Sequence, residues 1–264
     1  MAKIISIFET ANNFEALNNE EEAQELVWDA WEAETQEKSA ALAKKALKIF
    51  PDCADAYNVL ATNEASAEKA AAYYQKAIEA FHKNNGEQFF RENTGYFWGI
   101  LETRPYMRAM EGYGRCLWAC GEQEVAVRVY QNMLELNPND NQGVRYMLTS
   151  WLLILKEYDE ARALIEAYDD SSMAICYGKF LLSIIEKKGK TTIKKSYREA
   201  IKYNPHAVPF ILKKKRLPKN MPDMIELGTK DEAVIYMLYE YGKALWNQYP
   251  SAIQTLAELA ADVK

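Results

Sequence analysis

The hydrophobic pattern of this chain predicts amphipathic helices, and three of them end just before a proline. Pro51 follows the segment Ala-Leu-Lys-Ile-Phe, Pro138 follows Met-Leu-Glu-Leu-Asn, and Pro205 follows Ala-Ile-Lys-Tyr-Asn. Proline is tolerated just past a helix because it cannot continue one. These proline-ended segments fit one frame with a period of about 34 residues, which predicts an internal repeat.

The clearest repeat covers residues 107–140. Small residues fall at Gly114 and Ala126, where two helices would approach closely, and Gly121 separates those helices. Apolar or aromatic side chains occupy the positions expected to pack between the helices. This spacing resembles the tetratricopeptide (TPR) pattern, which is a helix–turn–helix unit.

The same frame predicts further, more degenerate units along the chain. The five repeats cover residues 20–53, 54–83, 107–140, 141–173 and 174–207. We therefore predict an all-α fold, a right-handed TPR-type solenoid of about five helix–turn–helix repeats with an insertion and a C-terminal helical cap. The predicted organisation is 1–83 for the N-terminal repeats, 84–106 for the insertion, 107–207 for three repeats, and 208–264 for a basic loop and the cap.

The predicted cap consists of two helices after the basic loop at 213–222. One helix is expected over 230–249, with Thr229 or Asp231 as its N-cap residue. The other is expected over 251–261, with Ser251 as its N-cap residue. A cap of this kind gives the open end of a repeat array a polar outer face.

Three strings in the sequence go beyond the general repeat pattern. They are FWGILETRPYMR at 97–108, LNPNDNQG at 136–143 followed by Arg145 and Tyr146, and Asn204-Pro-His followed by KKRLP, Asp231-Glu-Ala and Tyr236. Over about residues 54–260, the chain resembles the "suppression of tumorigenicity" TPR family and its soluble bacterial and plant relatives. That resemblance implies a helical scaffold with a protein-binding role, and it transfers no enzymatic activity.

Composition narrows the class of protein further. With 11 Gly and 8 Pro in 264 residues, turn residues are too few for an all-β sandwich. The net charge of −6 disfavours nucleic-acid binding. The longest uncharged apolar stretch covers residues 146–155, which is far shorter than the roughly 20 residues of a membrane span. Four cysteines are too few for a disulfide scaffold, so we expect a cytoplasmic protein.

The repeat frame also predicts a binding surface, because the first helix of each TPR unit lines the inner face. Arg108, Arg145 and other cations there would hold the acidic side chains or terminal carboxylate of a protein or peptide partner. The alternative is that these cations pair with acids of the chain itself and only solvate the surface. The candidate residues are Arg104, Arg108, Arg115, Trp118, Gln142, Arg145, Tyr146, Thr149 and Lys179.

The sequence gives little support for a metal site. Cys116 and Cys120 lie four residues apart on one helix, but the only histidines, His82 and His206, fall in other repeats. A closed zinc site needs four ligands, so buried thiols are favoured over a metal site. We predict a non-enzymatic scaffold or adaptor, monomeric or dimeric, with no metal and no cofactor. Two alternatives stay open, a self-associating structural protein and an enzyme or nucleotide-binding protein.

A mutational expectation follows from the sequence. We expect replacement of Arg108 and Arg145 by Ala to abolish partner binding with little change in melting temperature. The basic run 213–219 is read as an exposed loop, because seven residues do not outweigh the charge of the whole chain.

Overall fold

A computed structural model describes residues 18–222 and 226–262. Throughout these residues the backbone forms helices and short connections, with no strand, so the predicted all-α class is confirmed. The chain divides into two compact units, residues up to Asn141 and residues from Gln142 onward. The first 17 residues of the predicted 1–83 segment lie outside the described residues.

From residue 18 onward, the first unit contains three successive helix pairs. Its α-helices are α1 (18–31), α2 (Gln36–Ile49), α3 (Ala54–Thr62), α4 (Ala67–Asn93), α5 (Arg104–Ala119) and α6 (Gln123–Leu136). Helix α3 packs on α4, α5 packs on α6, and α4 also packs on α5. Helices of successive repeats therefore stack on one another, as the helical-repeat prediction requires.

Local residues explain where these helices begin and how closely they pack. The Thr35 and Ser66 hydroxyls accept hydrogen bonds from the first-turn amides of α2 and α4. The predicted small residue Gly114 lies so close to Tyr130 that a Cβ atom there would be 2.5 Å from the tyrosine ring. The pairing of α5 with α6 therefore depends on glycine at this position.

The segment expected to be an insertion is tied to the first unit by aromatic rings. Helix α4 runs on into it with non-helical backbone angles at Gly86 (φ 69°), and two 3-10 turns, Phe97–Gly99 and Leu101–Thr103, lead into α5. The ring of Phe97 lies 5.2 Å from that of Phe90 and 5.9 Å from that of Tyr106. Phe97 is fully buried, so its ring belongs to the core of the first unit.

In its described residues, the second unit begins with two further helix pairs and ends with four more helices. The helices are α7 (Val144–Leu155), α8 (Tyr158–Tyr168), α9 (Met173–Ile185), α10 (Lys190–Tyr203), α11 (Ala207–Ile211), α12 (Lys230–Leu238), α13 (Gly242–Asn247) and α14 (Pro250–Ala261). Helix α7 packs on α8 and α9, and α9 packs on α10.

A buried carboxylate joins three elements of the second unit. Glu232 accepts hydrogen bonds from the Met173 amide at 3.0 Å, the Asn204 side-chain Nδ2 at 2.8 Å and the Gly228 amide at 2.6 Å. It therefore links the start of α9, the end of α10 and the loop before α12. Asn204 and Glu232 both belong to the third string noted in the sequence, so these residues have a structural role here.

The predicted cap helices differ from the observed ones in two places. The helix expected over 230–249 is divided, because α12 ends at Leu238 and Tyr241, in a left-handed conformation (φ 63°), precedes α13. Ser251 is not the N-cap residue of the last helix, because Pro250 already occupies its first turn, where proline is favoured. Thr229 does cap α12, accepting from the Glu232 amide.

Candidate functional site

The first unit contains a cavity of about 160 Å³ on the face built by its first helices. Helices α1, α3 and α5 supply most of its wall, and α4 contributes one tyrosine. The lining residues are Trp31, Asn58, Thr62, Tyr74, Arg108, Glu111, Gly112 and Arg115. The cavity thus combines two aromatic rings with amide, hydroxyl, guanidinium and carboxylate groups.

The repeat frame explains why α3 and α5 present their lining residues together. Counted from the start of each repeat, at 54 and 107, Asn58 and Glu111 occupy the fifth position, and Thr62 and Arg115 the ninth. Residues four apart lie one above the other on a helix face. Two stacked repeats therefore point the same positions into one cavity.

An ion pair joins these two helices at one edge of the cavity. Arg108 donates from Nε to Asp55 Oδ1 at 3.2 Å and from Nη2 to Asp55 Oδ2 at 2.5 Å. The carboxylate is buried, whereas 40% of the Arg108 side chain is exposed. The pair neutralises much of the charge that Arg108 would otherwise offer to a ligand.

Asn58 is almost fully buried, with 1% of its surface exposed. Its Nδ2 donates to Asp55 Oδ1 at 2.9 Å and to the backbone carbonyl of Pro105 at 2.8 Å. Its Oδ1 atom, in contrast, accepts a hydrogen bond from no donor in the described parts of the chain. A buried acceptor left without a donor costs about 1–3 kcal/mol, and this atom has almost no surface within reach of a ligand.

The aromatic walls of the cavity come from α1 and α4. Trp31 is 44% exposed, a large apolar surface to leave in contact with water. The Tyr74 ring lies directly over Gly112, where a Cβ atom would stand 2.2 Å from Tyr74 Cζ. Only glycine at this position leaves room for the ring.

The remaining candidate residues of the first unit lie in different surroundings. Arg115 lines the cavity and is exposed, whereas Trp118, two turns beyond Glu111 on α5, is buried. Arg104 does not line the cavity. Its guanidinium stacks over the Trp98 ring at 5.2 Å, at the junction of the insertion with α5.

In the second unit, Arg145 is largely enclosed by neighbours of that unit. Its Nε and Nη2 each lie 2.8 Å from Asp170 Oδ2, and its guanidinium stacks 4.1 Å from the Tyr146 ring centroid and 5.2 Å from that of Tyr168. Burial opposes ionisation of Asp170, but hydrogen bonds from Ser172 and Arg145 outweigh it and lower the pKa of that carboxyl. Arg145 therefore already holds a carboxylate of its own unit.

The other candidates of the second unit are also engaged or buried. Lys179 pairs with Asp169. Thr149 is buried, packs beside Gly178 and donates to the Arg145 backbone carbonyl at 2.8 Å, so it stabilises helix packing instead of lining a surface. Gln142 is half-buried just before α7.

The candidate residues identified from the sequence include two of the eight cavity residues, Arg108 and Arg115. They do not include Trp31, Asn58, Thr62, Tyr74, Glu111 or Gly112. The signal for Asn58 and Thr62 was present, because they occupy the positions that place Glu111 and Arg115 in the next repeat. Trp31 and Tyr74 carry no such signal, because they lie on α1 and α4, outside the two helices that share these repeat positions.

The described residues show no grouping suited to metal or thiolate chemistry. No three His, Cys, Asp or Glu side chains come together there as potential metal ligands. Burial raises the pKa of Cys53 to about 11 and that of Cys176 to about 12, and it also raises the pKa of Cys116. These thiols stay protonated at neutral pH, which disfavours nucleophilic chemistry. Within the described residues, every helix is too short or too polar to cross a membrane.

Comparisons with known proteins agree with the resemblance seen in the sequence, although no family model matches the chain. The chain is 24% identical over 260 residues to "Protein ST7 homolog" of Drosophila melanogaster, covering 89% of this chain and 48% of that protein. It is also 24% identical over 251 residues to "Suppressor of tumorigenicity 7 protein-like" of Homo sapiens, covering 86% of this chain and 43% of that protein. The chain therefore spans less than half the length of these relatives.

A solved structure of pilF from Pseudomonas aeruginosa aligns with 70% of this chain and 91% of its own, at 19% identity and a TM-score of 0.35. The Drosophila and human relatives confirm the similarity to suppressor of tumorigenicity 7 proteins that the three strings predict.

Proposed function

We propose that this chain, which is similar over most of its length to suppressor of tumorigenicity 7 proteins, is a non-enzymatic helical-repeat adaptor. It binds a segment of another polypeptide in the cavity of its first unit. The observation that carries this proposal is the cavity itself, which has an exposed Trp31 on one wall and the partly exposed Arg108 side chain on another.

The chemistry of the cavity suits a polypeptide. Binding energy at protein interfaces concentrates on a few residues, with tryptophan, tyrosine and arginine enriched among them. Trp31, Tyr74 and Arg108 bring these three residue types to one cavity. Its volume of about 160 Å³ is near that of an engineered cavity which holds one benzene molecule, so it admits about one side chain.

The ion pairs change the kind of partner that we expect. Arg108, Arg145 and Lys179 are each paired with an aspartate of their own unit. An ammonium or guanidinium that already holds a carboxylate attracts a second one less strongly. Shape and hydrogen bonding, more than overall negative charge, would then select the bound segment.

The proposal is tested by selecting ligands from a random peptide library displayed on phage, with the purified full chain immobilised. Enriched peptides are synthesised with a fluorophore and titrated by fluorescence polarisation. Because tryptophan truncation at an interface centre typically costs at least about 2 kcal/mol, Trp31→Ala should weaken peptide affinity roughly 30-fold.

Trp28→Ala is the matched control. Trp28 lies on the same helix and is 60% exposed, but it does not line the cavity, so its replacement should leave affinity unchanged. A library that yields no enriched peptide, or peptides to which both tryptophan variants bind as tightly as the original chain, would refute the proposal.

A further inference from the structure

We propose that a basic region of the second unit binds the surface of an anionic lipid bilayer. The basic region consists of the lysines and arginines of residues 187–222, which lie on α10, in the turn before it and in the loop after α11. The proposal goes beyond the adaptor function, because it needs neither the first-unit cavity nor a bound peptide.

Residues 187–222 concentrate positive charge in an otherwise acidic chain. They contain twelve lysines and arginines and a single carboxylate, Glu199, which gives a net formal charge of +11, whereas the whole chain has a net charge of −6. The loop at 213–219 supplies only five of the twelve cations. Because charges more than about 10 Å apart are largely screened by salt, an anionic surface is attracted by this local charge and not by the net charge of the protein.

The cations of the basic region are open to solvent, and few of them are neutralised. All twelve are exposed. Among the described residues, only three have a carboxylate within 4 Å, at distances of 3.2–3.9 Å, and these are Lys188, Lys194 and Lys195. The basic region thus differs from Arg108, Arg145 and Lys179, each of which is paired with an aspartate of its own unit.

Four of these cations form a stripe along α10. The stripe consists of Lys190, Lys194, Arg198 and Lys202, which follow one another at intervals of four residues. Residues four apart are neighbours on a helix surface, and like charges at that spacing destabilise a helix. Lys190 is also the first residue of α10, where the helix dipole disfavours a cation. The stripe therefore costs stability, and a bound anionic surface would offset that cost.

The loop after α11 brings further lysines close to the end of the stripe. Helix α11 begins four residues after α10 ends, and its five residues span only about 7 Å. The chain then turns back, because the amides of Lys214 and Lys215 donate to the Pro209 carbonyl at 2.9 and 3.1 Å. Three consecutive lysines, at 213–215, therefore project from one tight turn near the end of α10.

Exposed apolar side chains accompany the cations. The exposed fractions of Tyr203, Met221 and Leu227 are 40%, 41% and 62%. Leu227 lies near the end of α10, because a Cβ atom on Gly228 would be 3.1 Å from the Tyr203 carbonyl oxygen. Lys202 Nζ lies 5.8 Å from the centroid of the Tyr203 ring. Cations beside exposed apolar groups suit the boundary between lipid headgroups and acyl chains.

The residue types favour a lipid surface over a nucleic acid. Ten of the twelve cations are lysines. A lysine is a point charge on a flexible stem, which suits a fluid layer of anionic headgroups, whereas specific nucleic-acid contacts use the forked guanidinium of arginine. Single-stranded nucleic acids also need aromatic rings for base stacking, and Met221 and Leu227 are aliphatic. The chemistry of the basic region therefore fits an anionic bilayer best.

Co-sedimentation of the full chain with lipid vesicles tests the proposal. Vesicles of equal parts phosphatidylserine and phosphatidylcholine should bind the chain at physiological salt, and vesicles of phosphatidylcholine alone should not. Binding to the mixed vesicles should weaken steeply as salt is raised, because the attraction is screened. A chain that stays in the supernatant with the mixed vesicles at physiological salt would overturn the proposal.

A loop variant and a matched control locate the binding surface. The loop variant combines Lys213→Gln, Lys214→Gln and Lys215→Gln. Each lysine close to an anionic surface contributes about fivefold in affinity, so this variant should bind the mixed vesicles roughly 100-fold more weakly. The control makes the same change at three exposed lysines of α2 and should bind normally, and it combines Lys44→Gln, Lys45→Gln and Lys48→Gln. Equal losses in the two variants would refute the assignment to the basic region.

Leu227→Ser distinguishes a lipid surface from a nucleic acid. Its affinity for the mixed vesicles should fall several-fold, because less apolar surface enters the bilayer boundary. A fluorescein-labelled single-stranded RNA is titrated with the same variants. RNA binding that is tighter than vesicle binding, is weakened in the loop variant and is unchanged in Leu227→Ser would assign the basic region to nucleic acid and overturn the proposal.

Discussion

Arg108 holds both carboxylate oxygens of Asp55, and the two residues occupy the same position of successive repeats. Asp55 is the second residue of the repeat that starts at 54, and Arg108 is the second residue of the repeat that starts at 107. The pair therefore fixes the stacking of α3 on α5 as well as the wall of the cavity. A residue expected only to bind a partner also has a structural role.

Arg108→Ala should consequently destabilise the chain, contrary to the expectation from sequence that the melting temperature would hardly change. Removing one partner of a buried ion pair leaves an uncompensated charge. Because Arg108 is partly exposed, we expect a loss on the order of 2 kcal/mol in the free energy of unfolding, measured by urea denaturation. Arg128→Ala, an exposed arginine on α6, is the control and should change it little. Equal effects of the two variants would show that the Asp55 pair contributes nothing.

Glu232→Ala should be among the most damaging single substitutions in the second unit. It removes three hydrogen bonds at once and leaves the Met173 and Gly228 amides and the Asn204 side chain without their acceptor. At about 1 kcal/mol or more for each bond, we expect a loss on the order of 3 kcal/mol. Asp231→Ala, at the exposed neighbouring position, should cost much less. Thermal unfolding followed by circular dichroism compares the two.

Stability should fall between about pH 5 and pH 8 because of Glu240. Burial, reinforced by the nearby Glu232 and Asp170, raises the pKa of Glu240 to about 8 from its ordinary 4.5. Between these values the unfolded chain releases a proton that the folded chain keeps. The free energy of unfolding then decreases with pH, by at most about 1.4 kcal/mol per pH unit, and levels off above the folded-state pKa.

Glu240→Gln tests this linkage, because the amide does not titrate. The variant should gain stability relative to the original chain as pH rises from 5 to 8, in urea titrations at each pH. Glu258→Gln, at an exposed position of α14, should track the original chain. A constant difference between Glu240→Gln and the original chain across this range would contradict the raised pKa.

Gly112→Ala should weaken peptide binding while changing stability little. The added methyl group would displace the Tyr74 ring from its place against α5 and into the cavity. Alanine also gains about 1 kcal/mol over glycine within a helix, which offsets part of the strain. We expect a several-fold loss of affinity for the enriched peptides by fluorescence polarisation. Gly99→Ala has open space around its added methyl group and should bind normally.

The sequence predicts the helix pairs well because their signals are local. Prolines after α2, α6 and α10, the Ser66 and Thr229 caps and the small residue at Gly114 all act within one repeat or between its two helices. The break at Tyr241 has no such signal, because a tyrosine in the left-handed region is held by tertiary packing. Its ring lies edge-on against Trp151, 90 positions earlier in the chain.

The sequence predicts the candidate site only in part, because the ion pairs and the packing of the site depend on segments that are distant in sequence. The repeat frame identified Arg108 and Arg115 as residues of the first-helix face, and both line the cavity. The frame says nothing about which acids neutralise the predicted cations. The pairs of Arg108 with Asp55 and of Arg145 with Asp170 form only when segments distant in sequence come together. Thr149 is among the candidates because the frame counts positions along one helix, whereas its burial depends on how closely α9 approaches α7 at Gly178.

The central claim is that the first-unit cavity holds a polypeptide segment, and the indole N–H signals in two-dimensional NMR test it most directly. Each tryptophan gives one such signal, and Trp31→Phe and Trp28→Phe spectra assign the two on α1. Titration with an enriched peptide should shift the Trp31 signal in proportion to saturation and leave the Trp28 signal in place. An unmoved Trp31 signal in the presence of a saturating, bound peptide would contradict the account.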